Sequence, residues 1–210
     1  MKKIAIFVSG RGSNFQSIYS KILAGDIPAK VCLVISNNSN CGAINFSVRN
    51  GIETLIINDT LIPNINEQKD ILLNGLHKKE IDFIILAGYV KMIPEGVIKK
   101  YHQKIINIHP SLLPKFGGKG YYGMKVHEAV IQSGIKETGA SVHFVDEHYD
   151  HGPVVANKKV QVLKSDTAES LAERVLKIEH DLYPEVVKAL CENRIYWEGN
   201  LPKIEVAIEN

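Results

Sequence analysis

Through the first half of the chain, short apolar runs rich in β-branched residues alternate with helix-like segments, and this alternation restricts the fold more than any other feature. The runs are KIAIFVS (3–9), KVCLVIS (30–36), ETLIIN (53–58), DFIILAG (82–88) and KIINIH (104–109). They are continuously apolar, as expected of strands covered by helices on both faces. Between them lie helix-like stretches from Asn14 to Ala24, Cys41 to Asn50, Asn66 to Lys79 and Pro94 to Lys99. Strict alternation predicts an α/β fold with a doubly wound, mostly parallel sheet and right-handed crossovers.

After His109 the alternation breaks. A loop rich in Gly, Lys and Tyr leads to a predicted helix from Val126 to Ser133, then to two runs, ASVHFV (140–145) and PVVANKKVQV (153–162). These two runs read as a hairpin joined through DEHYDHG, which brings the expected strand count to about seven. The stretch from Thr167 to Cys191 is apolar at Leu171, Val175, Ile178, Leu182, Val186, Val187 and Leu190, as a closing amphipathic helix requires. Pro184 lies inside it and is expected to kink or split the helix. No repeat or linker interrupts the chain, so one domain, 1–210, is expected.

The 210 residues carry 45% hydrophobic and 23% charged side chains with a net charge of +2. So mild a balance points to no nucleic-acid and no membrane partner. The apolar run after Lys2 and Lys3 ends at Ser9, too soon for a signal peptide or a membrane span, so a cytoplasmic location is expected. Cys32, Cys41 and Cys191 are widely spaced and include no Cys-x-x-Cys pair, which predicts reduced thiols and neither disulfide nor zinc–thiolate site.

In open α/β sheets ligands bind outside the carboxyl ends of the strands. That rule selects SGRGSN (9–14), where Gly10 and Gly12 permit a tight turn into a helix capped by Ser13 or Asn14. Its backbone amides would suit a phosphate; the plainer reading is an ordinary glycine-containing βα turn. The third glycine of a dinucleotide fingerprint is missing, because Phe15 follows Asn14, and a monophosphate fits better. LAGYVKMI (86–93) is a second strand exit. The third is INIHPSLLPKFGGKG (106–120), where alternation directs Asn107 and His109 to one side of a strand. Two hydrogen-bond donors side by side suit a developing oxyanion, although a histidine near a strand end can also be purely structural. A fourth element is DEHYDHGPV (146–154). It reads as a metal site through His148, Asp150 and His151, as a solvated acidic turn, or as a loop that folds Asp150 against His109 and raises the imidazole pKa.

The segments SGRGSN, LAGYVKMI, NIHPSLLPKF, GASVHFVDEHYDHGPV and ERVLKIEHDLYP occur in the order and approximate spacing of the folate-dependent glycinamide ribonucleotide formyltransferases. The chain resembles this family from Lys2 to about Ala189, most specifically in Asn-x-His-Pro-Ser-Leu-Leu-Pro and Asp-x-Gly-Pro-Val. The resemblance implies the Rossmann-like formyltransferase fold and 10-formyltetrahydrofolate as co-substrate, with no metal. It implies Asn107, His109 and Asp150 as catalytic residues, and Gly12, Ser13, Asn14 and Glu179 as contacts to the ribonucleotide. Val90, Lys91, Met92 and Ile93, together with Asp146 and Glu147, would line the folate pocket. Small-molecule substrates and a monomer or homodimer are implied as well.

Three departures from the family pattern stand out. The NINEQ stretch (64–68) lacks the arginine with which some members hold the folate tail, and Lys69 is the nearest cation. Leu176 stands where some members are polar, and KFGGKGYYGMK (115–125) reads either as a flap over the site or as a solvated loop. Two other readings of the chain are a formyltetrahydrofolate hydrolase and a non-catalytic nucleotide-binding module. The presence of Asn107, His109 and Asp150 argues against the second.

Overall fold

The computed structural model describes residues 1–205. Two compact units divide the chain, Met1–Asn107 and a second beginning at Ile108, so the boundary falls inside one strand.

The first unit alternates as expected: β1 (Lys2–Val8), α1 (Ser13–Leu23), β2 (Ala29–Ser36), α2 (Gly42–Arg49), β3 (Thr54–Ile56), α3 (Ile65–Lys78), β4 (Phe83–Leu86), α4 (Glu95–Lys100) and β5, which begins at Ile105. Its strands lie in the order β3-β2-β1-β4-β5 and pair in parallel, with Phe7 opposite Ile35 and Leu86, and Leu86 opposite Asn107. Apolarity along the whole strand is explained by burial on both faces: Ile4 to Val8 are completely buried, as are Val34, Ile35, Ile84 and Ile85. The helices turn Phe15 and Ile18, Leu72 and Leu76, and Val97 into the core, the i, i+3/i+4 spacing of one helical face. Asn64 caps α3 by accepting from the backbone N–H groups of Asn66 and Glu67.

The second unit opens on Ile108 and His109, the end of β5 (Ile105–His109), and continues through α5 (Met124–Ser133), β6 (Glu137–Phe144), β7 (Val154–Gln161), α6 (Ala168–Cys191), β8 (Ile195–Glu198) and β9 (Leu201–Ile204). β6 and β7 form the expected antiparallel hairpin. Five parallel strands and this pair make seven, the mostly parallel α/β arrangement that the sequence predicts. α6 is not split at Pro184 but runs unbroken. A proline removes one helical hydrogen bond, and complete burial of Tyr183 and Val187 on either side of it secures the helix by packing. Thr167 and Ser170 form a capping box at its start. Just ahead of it the Arg174 guanidinium holds the Asp166 carboxyl well below the usual range.

The β8–β9 hairpin adds two strands to those that the sequence predicts. Its signal is Gly199–Asn200, a two-residue turn with Gly199 at φ 59°, between short runs containing Ile195, Trp197 and Ile204. Trp197 packs on Phe144, ring centroids 5.0 Å apart. Residues 206–210 of the C-terminal stretch lie outside the described residues. Cys41 and Cys191 are buried, Cys32 is half-buried, and none of the three is in a disulfide. No helix among the described residues is long and apolar enough to cross a membrane.

Candidate active site

In the first unit the loops after β1, β2 and β4 are tied together by one hydroxyl. Ser9 Oγ donates to Asn37 Oδ1 at 2.5 Å and accepts from the Val90 N–H at 3.1 Å, while the Ser9 N–H donates to the Gly88 carbonyl at 3.1 Å. Ser9 heads SGRGSN, and a hydroxyl at a strand's carboxyl end is its signal in the sequence. The first helix begins at Ser13, and Gly12, not Ser13 or Asn14, occupies the cap position without a side-chain cap. Gly12 adopts φ 77°, and a Cβ there would stand 2.6 Å from the Ala43 Cβ. Both the left-handed conformation and the close approach of α2 therefore require glycine. Asn14 is buried. First-turn N–H groups of a helix lack intrahelical acceptors, so this corner suits an anion.

Along 88–93, Val90, Lys91 and Met92 are exposed and Ile93 is buried. Lys91 pairs with Asp59 at 3.1 Å, and the Gln68 and Lys91 hydrogen bonds hold that carboxyl below its ordinary value. Lys69, the nearest cation to the arginine-less stretch, pairs with Asp70 at 3.3 Å. Asn107, half-buried, lies two residues before His109 in β5 and therefore on the same face of the strand.

The second unit holds a buried histidine–carboxylate pair. His109 Nδ1 stands 3.4 Å from Asp150 Oδ2, with the side chains 4% and 11% exposed. His109 Nε2 lies 2.7 Å from the Phe116 carbonyl. A carbonyl only accepts, so Nε2 carries a proton, and this contact sets the tautomer. Asp150 adopts a left-handed φ of 52°, and its Oδ2 accepts the Gly118 N–H at 3.0 Å. On its far side His143 Nε2 stands 3.6 Å from Oδ1, while His143 Nδ1 donates to the Phe144 carbonyl at 2.8 Å. The expected approach of Asp150 to His109 is thus present, and the loop from 115 is anchored on this pair through Phe116 and Gly118.

The net effect on the histidine differs from the expectation. Burial lowers the His109 pKa, and Asp150 and the Phe116 carbonyl, which raise it, do not fully compensate. The imidazole is therefore held below its ordinary value, not above it, because desolvation of the cation outweighs one carboxylate 3.4 Å away. For Asp150 burial is also the largest influence and raises the pKa, but His143, His109 and the Gly118 N–H together outweigh it and hold the carboxyl below its ordinary value.

Of the three readings of DEHYDHGPV, the metal site through His148, Asp150 and His151 is not the group that the fold brings together. Asp150 faces the histidines described above, and Asp146 joins His148 and His151 instead. Glu147 is exposed and Glu179 is buried in α6, with Leu176 half-buried one turn before it.

Two further histidines are buried, His143 in β6 and His127 in α5, and burial leaves no local signal in the sequence. His127 Nδ1 has no hydrogen-bond partner among the described residues, and burial, with the neighbouring His109 adding to it, pushes its pKa down to about 4. A folded-state pKa below the unfolded 6.5 means that the unfolded chain binds the proton first, so stability is present above pH 6.5 and drains away as pH falls toward 4. The loss from this group is at most about 3 kcal/mol. Urea unfolding at pH 7 and pH 5 is expected to show a smaller stability difference in His127→Leu than in the wild type. An unchanged difference would mean that His127 does not drive the acid sensitivity.

Residues 2–187 match the formyl transferase family, a span that crosses the boundary between the two units. The phosphoribosylglycinamide formyltransferase of Haemophilus influenzae is 35% identical over 98% of this chain and 94% of its own length. The chain belongs to the phosphoribosylglycinamide formyltransferases. The chloroplastic phosphoribosylglycinamide formyltransferase of Vigna unguiculata is 50% identical over 97% of the chain, which spans 66% of that relative's length. Among solved structures, glycinamide ribonucleotide transformylase 1 from Symbiobacterium toebii superposes with a TM-score of 0.90 at 32% identity, over 97% of this chain and 94% of that one. The formyltransferase family is one of enzymes, and this chain has its α/β fold.

Proposed function

We propose that this formyltransferase moves the formyl group of 10-formyltetrahydrofolate to the amine of glycinamide ribonucleotide, a step of purine biosynthesis, within a single domain 1–210. The observation that carries this reading is the buried His109–Asp150 pair, 3.4 Å apart, at the end of a strand that also presents Asn107. The amine nitrogen attacks the formyl carbon, the carbonyl π electrons move to oxygen, and a tetrahedral intermediate forms without any enzyme nucleophile. Asn107 and the His109 Nε2–H donate to that oxygen. Breaking the bond to the folate nitrogen releases the product, and Asp150, directly or through water, moves the amine's proton to that nitrogen.

His109 Nε2 is engaged by the Phe116 carbonyl at 2.7 Å, so donation to the formyl oxygen requires this carbonyl to give way. Phe116 sits at φ 53°, a conformation uncommon outside glycine. In the same reading Gly12, Ser13 and Asn14 hold the 5′-phosphate and Glu179 contacts the ribose or glycinamide. Backbone groups of Val90, Lys91, Met92 and Ile93, and of Asp146 and Glu147, line the folate pocket. Small-molecule substrates, a monomer or homodimer and a cytoplasmic location complete it. A plastid location, which the name of the Vigna relative carries, is the other outcome of imaging a fluorescent fusion of the full-length gene product.

Purified protein given 10-formyltetrahydrofolate is expected to form formylglycinamide ribonucleotide only when the ribonucleotide is present. Equal folate turnover without it would establish a hydrolase instead. Absence of turnover under either condition would leave a nucleotide-binding module.

A further inference from the structure

The turn between β6 and β7 carries a second cluster, whose side chains the proposed formyl transfer does not use. Asp146, His148 and His151 each offer one ligand atom, and these atoms lie within 4.8 Å of one another. Two contacts preset the group. Asp146 Oδ1 accepts the His148 backbone N–H at 2.9 Å, and Asp146 Oδ2 stands 2.6 Å from His151 Nδ1. The two imidazole rings sit with centroids 5.4 Å apart. The turn itself is held from both sides: Asp150 is anchored by Gly118, and Gly152 lies directly against the Phe144 carbonyl. All three side chains reach solvent, with His151 72% and Asp146 35% exposed, so an ion has direct access.

We propose that Asp146, His148 and His151 bind one divalent transition ion of the Zn2+ class, separate from the catalytic pair. Two imidazoles and one carboxylate suit Zn2+ or Ni2+, whereas Mg2+ and Ca2+ prefer sites made of oxygen alone. A tetrahedral ion with bonds of about 2.0–2.1 Å spaces its ligands about 3.4 Å apart, so side-chain rotation alone closes the site. The ion displaces the contact between His151 and Asp146, and the fourth position stays open to water. Its occupancy braces the turn that carries Asp150.

The test is a titration of tag-free, chelator-treated protein with Zn2+ in competition with a chromophoric chelator. Expected are one equivalent bound, a rise in Tm on saturation, and no competition from excess Mg2+. The double variant His148→Ala/His151→Ala is expected to bind at least about 100-fold more weakly, with an unchanged circular dichroism spectrum and no Tm rise. Absence of binding by the wild type, or equal affinity in the double variant, would overturn the proposal, as would displacement of Zn2+ by Mg2+. None of these readouts involves formyl transfer, so they stand apart from the activity assay.

Discussion

His109→Ala is expected to lower the rate of formyl transfer by about 10²–10³-fold, the effect of removing one oxyanion donor from a desolvated site. Asp150→Asn should lower it by about 10²–10⁴-fold, because it removes the group that relays the amine's proton. The pH profile separates two versions of the chemistry. Burial holds the His109 pKa below its ordinary value, so above pH 6.5 the resting imidazole is mainly neutral, yet its Nε2–H remains a donor. With a neutral donor the rate should not decline between pH 6.5 and 8. A tenfold fall per pH unit above 6.5 would show that the imidazolium is the working form. In Asp150→Asn the loss of the carboxylate lowers the His109 pKa further, which nuclear magnetic resonance titration of the imidazole would register directly.

Gly152→Ala is expected to be strongly destabilising. A Cβ at this position would stand 2.0 Å from the Phe144 carbonyl oxygen and 2.9 Å from its carbon. These are backbone atoms of β6, and the Phe144 N–H is itself engaged by the Pro153 carbonyl at 2.9 Å, so no flexible side chain can yield. The turn must open, at a cost of roughly 3 kcal/mol or more. Asp150 moves with it, so activity should fall as well. Gly10→Ala is the control: its Cβ would meet nothing within 4 Å, and its effect on stability should stay within about 0.5 kcal/mol. Urea unfolding of both variants tests the contrast, and comparable stabilities would mean that the Phe144 contact is not limiting.

Much of the candidate site could be read from local pattern. Asn107 and His109 share a face because strand alternation requires it, and Gly12 marks the turn into α1 because only glycine tolerates φ 77° with a neighbour 2.6 Å away. Other features could not be read this way. His127 and His143 sit in α5 and β6, and nothing local distinguishes a buried histidine from an exposed one. Pro184 shows the same limit in the opposite direction, since a local helix breaker is overruled by burial on both sides of it.

By itself, then, the amino-acid order determined the alternating elements, the strand exits where chemistry would gather and the family to which the chain belongs. Periodicity and turn residues are local properties, and so these survive without coordinates. The tertiary structure alone decided which acidic residue meets which histidine. Asp150 turned toward His109 and His143, and Asp146 took its place beside His148 and His151. It also decided the sign of the His109 shift. A pKa is a balance between desolvation and nearby charge, and how deeply a residue is buried depends on the whole fold around it.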